Sequence, residues 1–513
     1  MKSLACLLIL PACLFAQSTP ESNRCSAPPR FDLSGPSWNG WGPDSSNARF
    51  QSAPAAKIPV DQVSKLKLKW AFGFPGAKAV LGAPVIAGGR VFLGVDTGIV
   101  YSLNAGTGCL NWSFRADAGV RSAVTVEHVA ERYVAYFGDL KANAYALDAA
   151  TGEMLWKVHV DDHPRALITA APKVFEGRVY VPVASGEEGA GVNPNYPCCT
   201  FRGSVVALDA ATGRQIWKTF TIADEPQQVG KNSNGAARWT PAGGGVWNSP
   251  TIDPKRRVLY VGTGDAYSEP AAKTTDAILA LDLNTGKIVW SVQDTENDAW
   301  LAGCNGAKPS ENCPKTLGPD HDFGSSPILK TLADGRTILI AGQKSGNVWA
   351  HDPDRKGAVL WRTALVNNTT EFGGKIVWGG AADDQNAYFG LGPGGIAAVQ
   401  LRDGERKWFT PLEPAPAVAA HPGQDGALSA IPGLIFSGGF DGVLRALAAD
   451  TGHVVWEYNT ARDFPTVNGV AAKGGSLSVA GPTVAAGMLF AGSGYVGVRN
   501  GMSGNVLLAF SLQ

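Results

Sequence analysis

The chain has no surplus of charge of either sign. Lys and Arg number 44, Asp and Glu number 44, and the formal net charge is +0. The basic footprint that nucleic-acid binding needs is therefore missing. There is no Cys-x-x-Cys-His stretch, which excludes a covalently attached c-type haem. Beyond the N-terminus, no apolar run is long enough to cross a bilayer as a helix. The one run at the start, Leu4 to Phe15, follows Lys2 and precedes Ala16 and polar residues. It is too short to span and reads as an export signal over residues 1–16. Leu10-Pro-Ala-Cys13 loosely resembles a lipoprotein cleavage box, but its proline is out of place. Soluble export is the expectation, with lipid anchoring at Cys13 as the rival. Cys6 and Cys13 lie in the signal, leaving Cys25, Cys109, Cys198, Cys199, Cys304 and Cys313. An even number in an exported chain permits disulfides.

Glycine and tryptophan are plentiful, with 63 and 15 residues. Short runs of Val, Ile, Tyr and Trp punctuated by glycine read as an all-β chain. After a Pro/Ser-rich lead over 17–58, which holds Trp38-Asn-Gly-Trp41 and Arg49-Phe-Gln, a repeat takes over. Leu103-Asn-Ala-Gly-Thr-Gly108 precedes Trp112, and Leu147-Asp-Ala-Ala-Thr-Gly152 precedes Trp156. The unit recurs before Trp217, Trp290 and Trp456, and in degraded form before Trp361 and Trp408. With Trp70, the spacings run from 42 residues (to Trp112) to 73 (Trp217 to Trp290). That is the length of a four-stranded propeller blade with its loops. In each unit an apolar strand ends in Asp or Asn, whose side chain can cap a turn. Thr-Gly makes the turn, and the next strand carries a tryptophan to bury between sheets. The last strands, 487–492 and 505–510, lack a following Trp strand. The strand ending in Trp70 is expected to supply it and close an eight-bladed ring over residues 59–513.

In such a meander, the loops between blades and the loops joining second and third strands open on one face. Arg121, Thr169, Trp247, Asp298 and Asp322 follow blade tryptophans. Glu188, Asp265 and Lys344 follow second-strand runs. They are expected to converge at one end of the channel.

These motifs resemble the quinoprotein alcohol dehydrogenases, eight-bladed propellers that bind pyrroloquinoline quinone (PQQ) and calcium. Val467-Asn-Gly-Val-Ala-Ala-Lys-Gly-Gly-Ser476 and Ser493-Gly-Tyr495 carry a closer likeness to the polyvinyl-alcohol dehydrogenase branch. The resemblance implies roles residue by residue. Arg121 would pair with cofactor carboxylates, which suits a guanidinium fork. Thr169 would donate to the quinone, Trp247 in Gly243-Gly-Gly-Val-Trp247 would stack on it, and Lys344 would reach its oxygens. Glu188 and Asp265 fall at calcium-ligand positions; the family usually has Asn at the second, and Asp keeps an oxygen donor. Glu187 could also reach. For the catalytic base, Asp322 is the first choice, with Asp298 and Asp320 as rivals. Many family members place Asp where Leu301 stands here. Cys198 and Cys199, adjacent in sequence, can close a ring covering the quinone, or each can pair elsewhere, with Cys25 or Cys109. A bridge between Cys304 and Cys313 would pin the segment between them. The implied function is an exported alcohol dehydrogenase, oxidising polyvinyl alcohol or other secondary alcohols and passing electrons to an external acceptor such as cytochrome c. The rival is a cofactor-free or inactive propeller serving as a binding or assembly scaffold.

Overall fold

The structure is a computed structural model and describes residues 23–26, 31–366, 375–412, 423–424, 426–496 and 501–512. The expected signal and Cys13 lie outside the described residues. Eight four-stranded antiparallel sheets follow one another along the described chain. Blades 1 to 7 span 85–115, 125–159, 173–220, 251–293, 328–364, 381–410 and 429–459. Blade 8 takes three strands from 483–511 and its outermost from Lys67–Gly73, with Trp70 opposite Ala509. The ring therefore closes as expected, and no blade is left with an open edge toward the gap.

The local sequence explains the repetition. Middle strands such as Val258–Gly262 and Ala277–Asp282 are buried almost throughout because each blade is covered on both faces. Outer strands alternate, as in Leu110–Arg115. The outer-strand indoles of Trp70, Trp112, Trp156 and Trp408 each donate at 3.0 Å to a carbonyl of the next blade's turn. The turn itself is held by its Asp or Asn, as where Asp148 Oδ1 accepts the N–H groups of Ala150 and Thr151. Gly152 sits at φ +79°, and a Cβ there would come within 2.7 Å of the Trp112 ring. The degraded repeats keep this glycine: Gly357 lies on Trp290 and Gly404 on Trp361.

The lead segment is built into the middle of the ring. Residues 38–51 hydrogen-bond to the innermost strand of every blade in turn. Trp38 pairs with Ile86 of blade 1 and Asn39 with Val126 of blade 2. Lys173 of blade 3 donates to Asn47, while Ser45, Ser46 and Ala48 accept from Ile252, Leu329 and Ala382 of blades 4 to 6. Gln51 reaches Ala430 of blade 7 and Val484 of blade 8. At its centre Arg49 is fully buried, donating to the carbonyls of Leu428, Trp41, Ala480 and Pro482 and lying 4.6 Å from the Trp41 ring. Burial lowers its pKa to about 9. Arg49→Ala is expected to cost about 3–5 kcal/mol, because four carbonyls lose their donor and a large void opens. Denaturant unfolding of the two proteins measures it.

Candidate active site

Connectivity brings the unusual residues to one place. Arg121, Thr169, Glu188, Trp247, Asp265, Asp322 and Lys344 all line a single cavity of about 360 Å³. Four come from loops between blades 1 to 5, and three from second-to-third-strand loops of blades 3, 4 and 5. Trp378, from the loop before blade 6, and Tyr267 complete the wall. The Trp247 and Trp378 rings meet edge to face at 5.3 Å. Arg121 lies over Trp378 at 4.3 Å, and Lys344 lies over Trp247 at 5.2 Å. Trp41 of the lead segment lines a small void under the same two tryptophans, so the central segment forms part of the floor.

The glycine triplet before Trp247 serves two purposes. Gly243 (φ +111°) and Gly244 (φ +64°) let the backbone press against Asp265-Ala266 and Gly203, while Gly245 alone faces the cavity. Gly324 must also be glycine, since a Cβ would collide with the Trp247 ring.

Charge is concentrated here. Lys344 Nζ bonds Asp322 at 2.6 Å and also Asp320, which Lys375 holds from the other side. Oxygens of Asp265, Asp320 and Asp322 lie within 4.8 Å of one another, a spacing a hard dication can bridge. Burial pushes the Glu188 carboxyl up to about 8, against the pull of Lys344. Burial, then the charges of Asp322 and Glu188, raise Asp265 well above the carboxylate range. Burial also raises Asp322, opposed by Lys344. Burial alone would raise Asp320, but Lys344 and Lys375 together hold it low. Lys344 pays the same burial penalty, yet Asp320, Asp322 and Glu188 keep its ammonium well above the usual range.

The three aspartates weighed for the base take different positions. Asp322 lines the cavity, and its Oδ1 accepts the Asp265 N–H at 2.6 Å. Asp320 stands behind it, between the two lysines. Asp298 is outside the cavity lining; its carboxylate accepts the N–H groups of Asp320 and His321 at 3.2 and 2.7 Å and so shapes the turn that presents Asp322. Glu187 and Glu188, adjacent in sequence, point apart. Glu187 is buried and accepts from Thr200 N, Phe201 N and the Tyr196 hydroxyl, which leaves Glu188 to face the cavity.

Cys198 and Cys199 form a disulfide with each other, Cys25 pairs with Cys109, and Cys304 pairs with Cys313. The Cys198–Cys199 pair does not line the cavity. It packs with Leu301 and Cys304 in an apolar cluster under Gly191, where a Cβ would meet both sulfurs and Leu301. An acidic side chain at position 301 would be buried in that cluster unpaired, which accounts for the leucine.

Buried polar atoms in the cavity wall lack partners: Arg121 Nε, Thr169 Oγ1 and Asp265 Oδ2 accept or donate nothing among the described residues. Each such atom costs about 1–3 kcal/mol unless a ligand satisfies it. A planar anion with several oxygens would satisfy the first two. A polyvinylalcohol dehydrogenase of Pseudomonas sp. is 42% identical over 509 residues, covering 94% of this chain and 78% of the relative. Another, from Sphingopyxis sp. (strain 113P3), is 39% identical over 528 residues, covering 97% and 80%.

The chain belongs to the quinoprotein alcohol dehydrogenases, in the polyvinyl-alcohol dehydrogenase branch.

Two family models match the propeller repeat. The glucose/ethanol/alcohol dehydrogenase beta-propeller domain matches residues 162–305, and the outer membrane protein assembly factor BamB model matches 64–229 and 278–509. A solved quinohemoprotein alcohol dehydrogenase of Pseudomonas putida superposes with a TM-score of 0.71 at 18% identity, covering 93% of this chain and 80% of that one, a likeness of fold. The cavity of this quinoprotein fits PQQ in its donor set: a guanidinium and a hydroxyl without partners, beside aromatic walls.

Sequence reasoning missed Trp378, Lys375 and Trp41 as parts of the site. The signal for Trp378 was present. It lies outside the register of eight blade tryptophans, in a loop between blades, which is where site residues collect.

Proposed function

We propose that this quinoprotein oxidises secondary alcohols, including polymeric ones of the polyvinyl-alcohol type, with PQQ and Ca²⁺ as cofactors. We infer export for it, with electrons passing to an external acceptor such as cytochrome c. The observation that carries the reading is the convergence of Arg121, Thr169, Glu188, Trp247, Asp265, Asp322 and Lys344 on one cavity with unpartnered buried donors. Three disulfides support export.

Arg121 and Thr169 would hold PQQ by its polar edge, and Trp247 and Trp378 would confine its flat faces. Glu188 and Asp265 would hold the calcium, whose charge offsets the crowded carboxylates. When bound, the quinone supplies a two-electron acceptor and the metal supplies Lewis acidity. The chain's own part is proton transfer and positioning. Asp322 takes the hydroxyl proton of the alcohol. Lys344, bonded to Asp322 at 2.6 Å, opposes the burial that raises this carboxyl and so favours its charged form. Tyr267 and the two tryptophans keep bulk water from the reacting carbon.

The scaffold reading shares the repeat but leaves a buried, unpaired Arg121 Nε and an isolated Asp265 oxygen without purpose. The inactive reading rested on Leu301, and Asp322 already places a carboxylate in the cavity. The test is reconstitution. Cofactor-free protein given PQQ and Ca²⁺ is expected to reduce an artificial acceptor when isopropanol is added, and to do nothing when PQQ is omitted. Failure with every alcohol tried, despite quinone binding, would overturn the reading.

A further inference from the structure

A second, larger recess lies beside the active-site cavity. It has a volume of about 760 Å³, roughly twice that of the cavity. Tyr267, a buried residue, lines both, so the trough and the site share part of a wall. One wall is the hairpin Gln227–Lys231 and Ala237–Thr240, inserted between blades 3 and 4. The other is Asn312 and Pro314 to Thr316, at and just beyond the end of the segment that the Cys304–Cys313 disulfide closes. The floor is Ser268 to Ala271.

The walls are fixed against each other. Asn232 in the hairpin turn donates to Asn312 at 3.0 Å, and Ser233 N donates to Glu311 at 2.6 Å. Asn312 also donates to the carbonyls of Gly191, Asn193 and Tyr196, tying the wall to the loop that carries Glu188. Glu269 in the floor accepts the N–H groups of Lys315 and Thr316. A trough braced on three sides is preformed, so a ligand pays little to order it.

Its lining is mixed. Trp239 and Val229 give apolar surface, while Arg238, Asn297 and Thr316 give polar groups along the same trough. Sites of about 300–1,000 Å³ hold ligands of many atoms, and one small alcohol would leave most of this trough unfilled. An extended chain with methylene edges and regularly spaced hydroxyls matches both the size of the recess and its mixed apolar and polar lining. We propose that the trough is a binding subsite for such a polyhydroxylated chain, which lies along Trp239 and delivers one of its carbinols past Tyr267 to Asp322. The inference rests on the alcohol-dehydrogenase reading of the neighbouring cavity and adds the site that selects long substrates over short ones.

The test compares two substrates in the reconstituted full-length protein: a long polyvinyl alcohol and isopropanol. Trp239→Ala removes the aromatic surface, and Thr316→Trp, at an exposed position, fills the trough. Both variants are expected to lower kcat/KM for the polymer by roughly tenfold or more, through KM, while isopropanol stays within about twofold. Unchanged polymer kinetics in both variants would overturn the proposal, and so would an equal loss with both substrates. Slower transfer to a protein acceptor with unchanged polymer kinetics would make the trough a partner contact instead. Wild-type protein inactive toward isopropanol and polymer alike would instead defeat the dehydrogenase reading, which keeps the two failures distinct.

Discussion

Asp322→Asn is expected to lower alcohol turnover by about 10²–10⁴-fold, the range for loss of a general base, with quinone affinity nearly unchanged. The substitution is close to isosteric. Asn keeps an oxygen to accept the Asp265 N–H, now bonded at 2.6 Å, so the loop should hold its shape. What it loses is the charge that faces Lys344 and the lone pair that takes the proton. Asp298→Asn serves as the contrast. The Asp298 carboxylate bonds only the backbone N–H groups of Asp320 and His321 among the described residues, outside the cavity. Its replacement should cost stability before turnover. Single-turnover reduction of bound quinone by isopropanol separates the cases. If Asp322→Asn keeps its rate and Asp320→Asn loses it, the base is the aspartate between the two lysines.

Arg121→Leu is expected to weaken PQQ binding by about 10²-fold, since each hydrogen bond to a charged group contributes about 1.5–3 kcal/mol. The same substitution should leave the cofactor-free protein at least as stable as before. Arg121 is half-buried with its Nε fully enclosed, burial lowers its pKa to about 10, and no carboxylate pairs with it among the described residues. Removing a cation that burial disfavours and no carboxylate offsets removes a penalty larger than the loss of its contact with the Trp378 ring. Arg121→Lys restores charge without the fork and should recover only part of the affinity. Affinity and stability thus move in opposite directions, which no purely structural role for Arg121 produces.

Much of this architecture can be read from the chain because a propeller repeats its local chemistry. Each Asp–Thr–Gly turn and following tryptophan states its own role, and even the degraded copies keep the glycine on which the neighbouring indole rests. The site is legible for a related reason: blade connectivity sends two classes of loop to one face, so Arg121 and Lys344 can be placed together without knowing their contacts. Less legible are choices that depend on a few ångströms of orientation. Glu187 and Glu188 are chemically identical neighbours, and the N–H groups of Thr200 and Phe201 with the Tyr196 hydroxyl decide which one turns away from the cavity. Asp298 looks like a base and is engaged in holding a turn. The lead segment is the clearest omission. Trp41 and Arg49 stand far from the site in sequence, and nothing local shows that fourteen residues thread the whole ring. Leu301 seemed to weaken the case for catalysis, whereas its burial against the Cys198–Cys199 pair gives it a packing role.

The most direct test is an equilibrium titration of cofactor-free protein with PQQ in the presence of Ca²⁺, followed by tryptophan fluorescence. Because Trp247 and Trp378 wall the cavity, binding should quench emission and saturate at one quinone per chain, and Arg121→Leu should shift the midpoint by about two orders of magnitude. Quenching that never saturates, or a midpoint that Arg121→Leu leaves in place, would contradict the assignment of this cavity as the quinone site.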